Sequence, residues 1–234
     1  MNNSDEYTFL ELLGNANEIC SNRKICQLKT EQKKQYNTLL SKLEESHSKS
    51  LSKKEKGNAL ENLVNYLLEV SGDLFQVYSN VRTNTNEIDQ LIKLKPKGKI
   101  LNSHGVLDNR YKEFICECKN FESKVSVTYV GKLFSLMRSC GISFGVLFSY
   151  SGITGKKWNS AAGLVKKIYM KSQINNNCCT IIDFNMNDFK MISNGSNFLD
   201  IIEDKITMLK YDTDFESKIQ PHCAEKRFKD LMDS

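Results

Sequence analysis

The segment 114–120, FICECKN, is apolar enough for a buried strand, yet it carries Glu117 and Lys119 two residues apart. Alternate residues of a strand share a face. Ile115, Glu117 and Lys119 therefore point one way, and Phe114, Cys116 and Cys118 the other. Burying an acid and a base is costly unless something pairs with them. Two more acids lie upstream, Glu61 in LENLVNYLLE and Asp89 in NEIDQLI. Three carboxylates and a lysine in this order suit metal-assisted phosphodiester hydrolysis. That reaction needs an activated water, an in-line approach and neutralisation of the charge developing on the phosphate. Asp89 and Glu117 would hold Mg²⁺, a hard cation that takes oxygen ligands and keeps several waters. A backbone carbonyl beside Lys119 could add a ligand. Lys119 would orient or deprotonate the attacking water and sit against the phosphate. Glu61 would reach the cluster through a water or a second metal.

The elements that must position these groups follow from periodicity. Residues 58–70 read as an amphipathic helix, with Leu60, Leu63, Val64 and Leu67 at i, i+3, i+4, i+7. Residues 75–82 and 87–94 read as a hairpin, with Ile88, Gln90, Ile92 and Leu94 on one face and Asp89 on the other. Residues 95–111 read as a long basic loop or hairpin tip, and 113–120 as the strand of Glu117 and Lys119. A helix over 126–139, a buried strand over 143–150, a helix over 160–171 and a strand over 178–184 follow. Helices are expected over 197–209 and 224–232, and near the N-terminus over 7–19 and 30–45. The polar, basic stretch 46–58 reads as a linker. The expected division is an N-terminal helical extension, 1–50, a core, 57–184, and a C-terminal helical extension, 185–234, packing on the core or a partner.

Each site residue also has a plain structural reading. Glu61 stands three residues after Asn58 and could close a capping box. Asp89 could be a hairpin-end aspartate bonded to backbone. The lysine clusters, Lys97 and Lys99 among them, could follow a phosphate backbone or simply face water. His104 and Asp108 lack a third partner for a metal.

Composition narrows the class. The 234-residue chain is 40% apolar and 26% charged, with a net charge of +5. No apolar run approaches the roughly 20 residues of a membrane helix, and no membrane association is expected. The start, MNNSDEYTFLELL, has neither a basic segment nor a cleavage-like site, so a secretory leader is not expected. The eight cysteines form no C-x-x-C and several sit in apolar strands, which fits free buried thiols in a reducing cytoplasm. No Gly-rich phosphate loop, G-x-S-x-G or H-E-x-x-H occurs.

The segments KGNALENLVNYLLE (56–69), NEIDQLI (86–92), FICECKNF (114–121), VTYVGKLFSLM (127–137) and SFGVLFSY (143–150) together resemble the PD-(D/E)XK nuclease superfamily. The likeness is greatest to Mrr-like restriction endonucleases and archaeal Holliday-junction resolvases, and it covers about 57–184. It implies an α/β fold, a restriction-endonuclease-like αβββαβ core with a mixed central sheet flanked by helices. It implies a Mg²⁺-dependent endodeoxyribonuclease of the restriction or phage-defence kind, with Mn²⁺ able to substitute. Asp89, Glu117 and Glu61 fall on the metal-binding acids and Lys119 on the catalytic lysine. The partner implied is DNA, and cutting both strands implies a homodimer. Asn120, Tyr129 and Lys132 are the expected DNA-backbone contacts beside the motif, with Lys97 and Lys99 on the basic loop. Two departures stand out. Ile88 occupies the place of the usual proline, and the gap from Asp89 to Glu117 is long. The alternative is a non-catalytic nucleic-acid-binding or interaction module on the same fold.

Overall fold

A computed structural model describes residues 26–48, 51–82, 87–155, 159–174 and 179–211. The helices expected over 7–19 and 224–232 lie outside them. Five strands form one mixed open sheet in the order β1-β2-β3-β4-β5. They are β1 (Phe75–Arg82), β2 (Glu87–Leu94), β3 (Glu113–Lys119), β4 (Phe144–Ser149) and β5 (Thr180–Phe184). The first three run antiparallel and the last three parallel. Parallel neighbours need crossovers, which here are α4 (Val127–Cys140) and α5 (Ala161–Ile174). Before the sheet come α1 (Thr30–Ser48) and α2 (Lys53–Val70). The helices α3 (Pro96–Ser103), α6 (Met186–Ser193) and α7 (Phe198–Tyr211) complete the described residues.

Two apolar layers sandwich the sheet. One gathers α1, α2, α6 and α7 against Phe114, Cys116, Cys118, Phe144, Val146 and Phe148. The other packs α4 and α5 against Ile115, Leu147 and Ile181. The strand alternation is as expected: Cys116 and Cys118 face the first layer, behind Glu117 and Lys119. Cys26, Cys116, Cys118 and Cys179 are buried free thiols, and Cys140 is an exposed one.

Three elements differ from expectation. The stretch 46–58 is no open linker, because α2 begins at Lys53. Ser52 caps it, and Glu55 completes a capping box with the Ser52 backbone. That frees Glu61 from the capping role. The helix before it belongs to the core: Tyr36 and Leu43 are fully buried, and the Tyr36 hydroxyl donates to the Phe189 carbonyl at 2.9 Å. The 95–111 stretch is likewise no loop but α3, with Pro96 in its first turn, followed by a 3₁₀ turn, Asn109–Tyr111. Gly98 permits this. A Cβ there would lie 2.7 Å from the Leu74 carbonyl oxygen and 2.8 Å from Leu94 Cδ2. Lastly, Asn185 and Asp188 form a capping box that starts α6, a helix the apolar pattern alone did not suggest.

Candidate active site

The hairpin twists where the site begins. Ser79 pairs with Gln90 and Val81 with Ile88. Asn80, between them and opposite Asp89, has φ +53°, a left-handed conformation that asparagine tolerates. Beyond this point Val81 and Ile88 join the α4–α5 layer, whereas Val77 and Ile92 pack in the other. The ladder between β2 and β3 also ends here, at Gln90 and Cys116. The next inward-facing amide, Cys118 N–H, donates instead to Asp89 Oδ2 at 2.9 Å. Asp89 thus replaces a lost ladder bond and is drawn to the end of β3.

Lys119 gathers the oxygens. Its Nζ lies 2.8 Å from Glu117 Oε1, 3.0 Å from the Cys118 carbonyl oxygen and 3.3 Å from Asp89 Oδ2. Glu117 is buried, and its Oε1 has no hydrogen bond of good alignment, so the close Lys119 contact is an ion pair rather than a directed bond. Lys132 Nζ, from α4, stands 3.5 Å from the same oxygen. Burial pulls the Lys119 ammonium down, but Glu117 and then Asp89 outweigh it and hold it above the ordinary lysine value. As the chain stands, Lys119 is a fixed cation, able to orient a water or meet a phosphate but not to take a proton.

Glu61 reaches this group from α2. Burial first, and the Asp89 charge second, push its carboxyl above the ordinary glutamate range, while Lys119 pulls it back. Among the described residues, no three His, Cys, Asp or Glu side chains close on a common point. What does converge is one carboxylate oxygen each from Asp89 and Glu117 with one carbonyl oxygen, around an ammonium. Such an all-oxygen set has the chemistry that a hard divalent cation takes.

The outlying residues divide. Tyr129 lies beside the site, its ring centroid 5.9 Å from Lys119 Nζ and 5.3 Å from that of Phe121. Asn120 is used within the fold: its amide donates to the Lys56 carbonyl at 2.6 Å and to Ser46 Oγ, and its oxygen accepts from His47. Lys97 and Lys99 are elsewhere. Lys97 Nζ donates to the Gly72 carbonyl at 2.8 Å. Both lie on α3 beyond Leu94, about 16 Å from Asp89 at the rise of a strand, apart from the cluster around Lys119.

Two groups were not singled out in advance. Asp183 shares a face with Glu117, two strands across through Leu147. Burial pushes its carboxyl up, with Lys205 and then Asn185 opposing. An acid inside the apolar run CCTIIDF was its signal, the same signal that marked Glu117. The other is a cleft of about 700 Å³ beside Lys119, lined in part by Lys53, Lys56, Asn120 and Phe121. The lysines stood in a sequence cluster, but their closeness to β3 is tertiary.

No family model matches the chain, and no curated protein or solved structure does. No helix among the described residues is long and apolar enough to cross a membrane.

Proposed function

We propose that the chain is a metal-dependent endodeoxyribonuclease on a restriction-endonuclease-like framework, a PD-(D/E)XK enzyme of the restriction or phage-defence kind. One observation carries this reading: Asp89 Oδ2, Glu117 Oε1 and the Cys118 carbonyl oxygen surround a single cationic centre. Asp89, Glu117 and the carbonyl would hold Mg²⁺ or Mn²⁺. Bound there, the ion would activate water and neutralise charge on the phosphate. The chain's own groups do the rest. Lys119, whose ammonium would yield these oxygens to the ion, would orient the water and meet the phosphate as a cation. Glu61, with its raised affinity for a proton, adjusts the water network from the α2 side. Lys132 adds positive charge from α4 and is the strongest candidate for a DNA-backbone contact. Cutting both strands takes two such sites, so a homodimer is part of the proposal.

A non-cutting nucleic-acid-binding module is the second reading. Its support is that no three acidic, histidine or cysteine side chains close together among the described residues. Incubating supercoiled plasmid with the protein in Mg²⁺, Mn²⁺ or EDTA separates the two. The nuclease reading expects nicked or linear DNA with either ion and none in EDTA. Salt-sensitive binding with intact plasmid in all three would favour the module.

A further inference from the structure

Lys119 and Cys118 close one end of the cleft of about 700 Å³, and the chemistry above does not use its outer part. That size suits a ligand of nucleotide scale. Its walls come from two elements. The first turn of α2 supplies Lys53, Lys56 and Gly57, and the segment after β3 supplies Asn120, Phe121 and Ser123. Lys56 is paired with Glu122 on the rim at 2.8 Å, which leaves Lys53, exposed on the first turn of α2, as the more available charge.

Phe121 is the unusual residue. It is 37% exposed, rests against Tyr129 and still lines the cleft. Its backbone is fixed: Ser151 Oγ bonds to the carbonyls of Phe121 and Glu122 at 3.3 and 2.9 Å. Asn120, next to it, is tied to α1 and α2 through Ser46, His47 and the Lys56 carbonyl. The main chain carrying the ring is therefore set before any ligand arrives, with Tyr129 against the ring itself, which lowers the entropic cost of binding. A fixed aromatic surface beside basic side chains is how single-stranded nucleic acid is held without base-specific bonds.

We propose that this cleft receives an unpaired or flipped-out nucleotide next to the scissile phosphate, its base stacked on Phe121 and its phosphate facing Lys53. The preferred substrate is then DNA with an extrahelical base at the cut, over matched duplex. The inference rests on the nuclease reading of the adjoining site, and it is tested without cleavage.

The full chain in EDTA is titrated, with anisotropy as readout, against two duplexes of equal length. One is fully matched, and the other carries a single extrahelical 2-aminopurine. The expected result is binding about ten-fold tighter to the bulged duplex, with the 2-aminopurine emission quenched. Phe121→Ala should remove the preference while leaving matched-duplex affinity unchanged, and Phe121→Tyr should keep it. Lys53→Gln should weaken the bulged complex more than the matched one and lower the salt slope of the bulged complex by about one. Equal affinity of the wild type for the two duplexes overturns the proposal, and so does a Phe121→Ala protein that keeps the preference. Metal-dependent plasmid cleavage without any bulge preference would remove the cleft but leave the nuclease. A bulge preference with no cleavage in any metal would keep a nucleotide-binding cleft but overturn the nuclease reading, and with it the placement beside a scissile phosphate.

Discussion

One lysine–glutamate pair closes the shared register of β2 and β3, and a second lies on β3 just past the register's other end. Lys93 and Glu113 meet at 3.0 Å with side chains 48% and 43% exposed. Lys119 and Glu117 meet at 2.8 Å with side chains 17% and 2% exposed. The chemistry is the same and the surroundings are not. An exposed pair is screened by water and contributes about 0–1 kcal/mol. A buried pair first loses solvation of several kcal/mol per ion, so an apolar pair of similar volume would serve folding at least as well. Asp89 adds a second negative charge to the buried end. Folding alone does not call for charges at that end, which is where the proposed cation would be held.

Stability measurements test this contrast first, because the expected effect is largest. Lys119→Met leaves the buried Glu117 charge only the half-exposed Lys132 at 3.5 Å and should cost about 3 kcal/mol in urea unfolding, while the double change with Glu117→Leu should recover most of it. Lys93→Met should stay within about 1 kcal/mol. Equal losses for the two lysines would erase the distinction between the ends.

Support for the buried end gives the next effect. Gln90 donates to Asn65 Oδ1 at 2.8 Å and so ties the strand of Asp89 to the helix of Glu61. Gln90→Leu leaves Asn65 without that donor, and a destabilisation of about 1–3 kcal/mol is expected. Cleavage should fall with it; a drop in stability alone would show that Gln90 does not position the site.

Asp183 refines the comparison through pH. Its carboxyl titrates above the ordinary aspartate range, so its contribution to stability is full below the unfolded value of about 3.9 and is lost as pH rises through the folded value. Asp183→Asn removes that loss. Its melting temperature should exceed that of the wild type at pH 7, and the difference should shrink toward pH 4. A gap that widens on acidification would reverse the assigned direction. The smallest effect belongs to α3, where Lys97→Gln with Lys99→Gln should leave DNA affinity within about two-fold, the scale of surface changes away from a site.

Much of this framework was legible in the chain. Both strands of the hairpin, 75–82 and 87–94, follow from alternation and turn residues, and they occur as expected. The faces of β3 follow from period two alone. Other features depend on contacts distant in sequence. Pro96 and Gly98 looked like loop residues, but Gly98 allows α3 to sit against Leu74 and Leu94. The Ser52–Glu55 capping box was present as SKKE and was passed over for Asn58 and Glu61. The left-handed Asn80 cannot be read from local sequence, yet it is where the hairpin twists and Asp89 comes to the end of β3. That Lys119 would sit among three oxygens, its charge reinforced, followed only from the fold.

The most direct measurement is the rate of metal-dependent plasmid nicking by Asp89→Asn and Glu117→Gln proteins, set against Lys93→Met, with folding checked by circular dichroism. Removing a charge that holds the cation should cut the rate about 10²–10³-fold in both site variants, and Lys93→Met should match the wild type. Wild-type rates in folded Asp89→Asn or Glu117→Gln protein would contradict the assignment of this site.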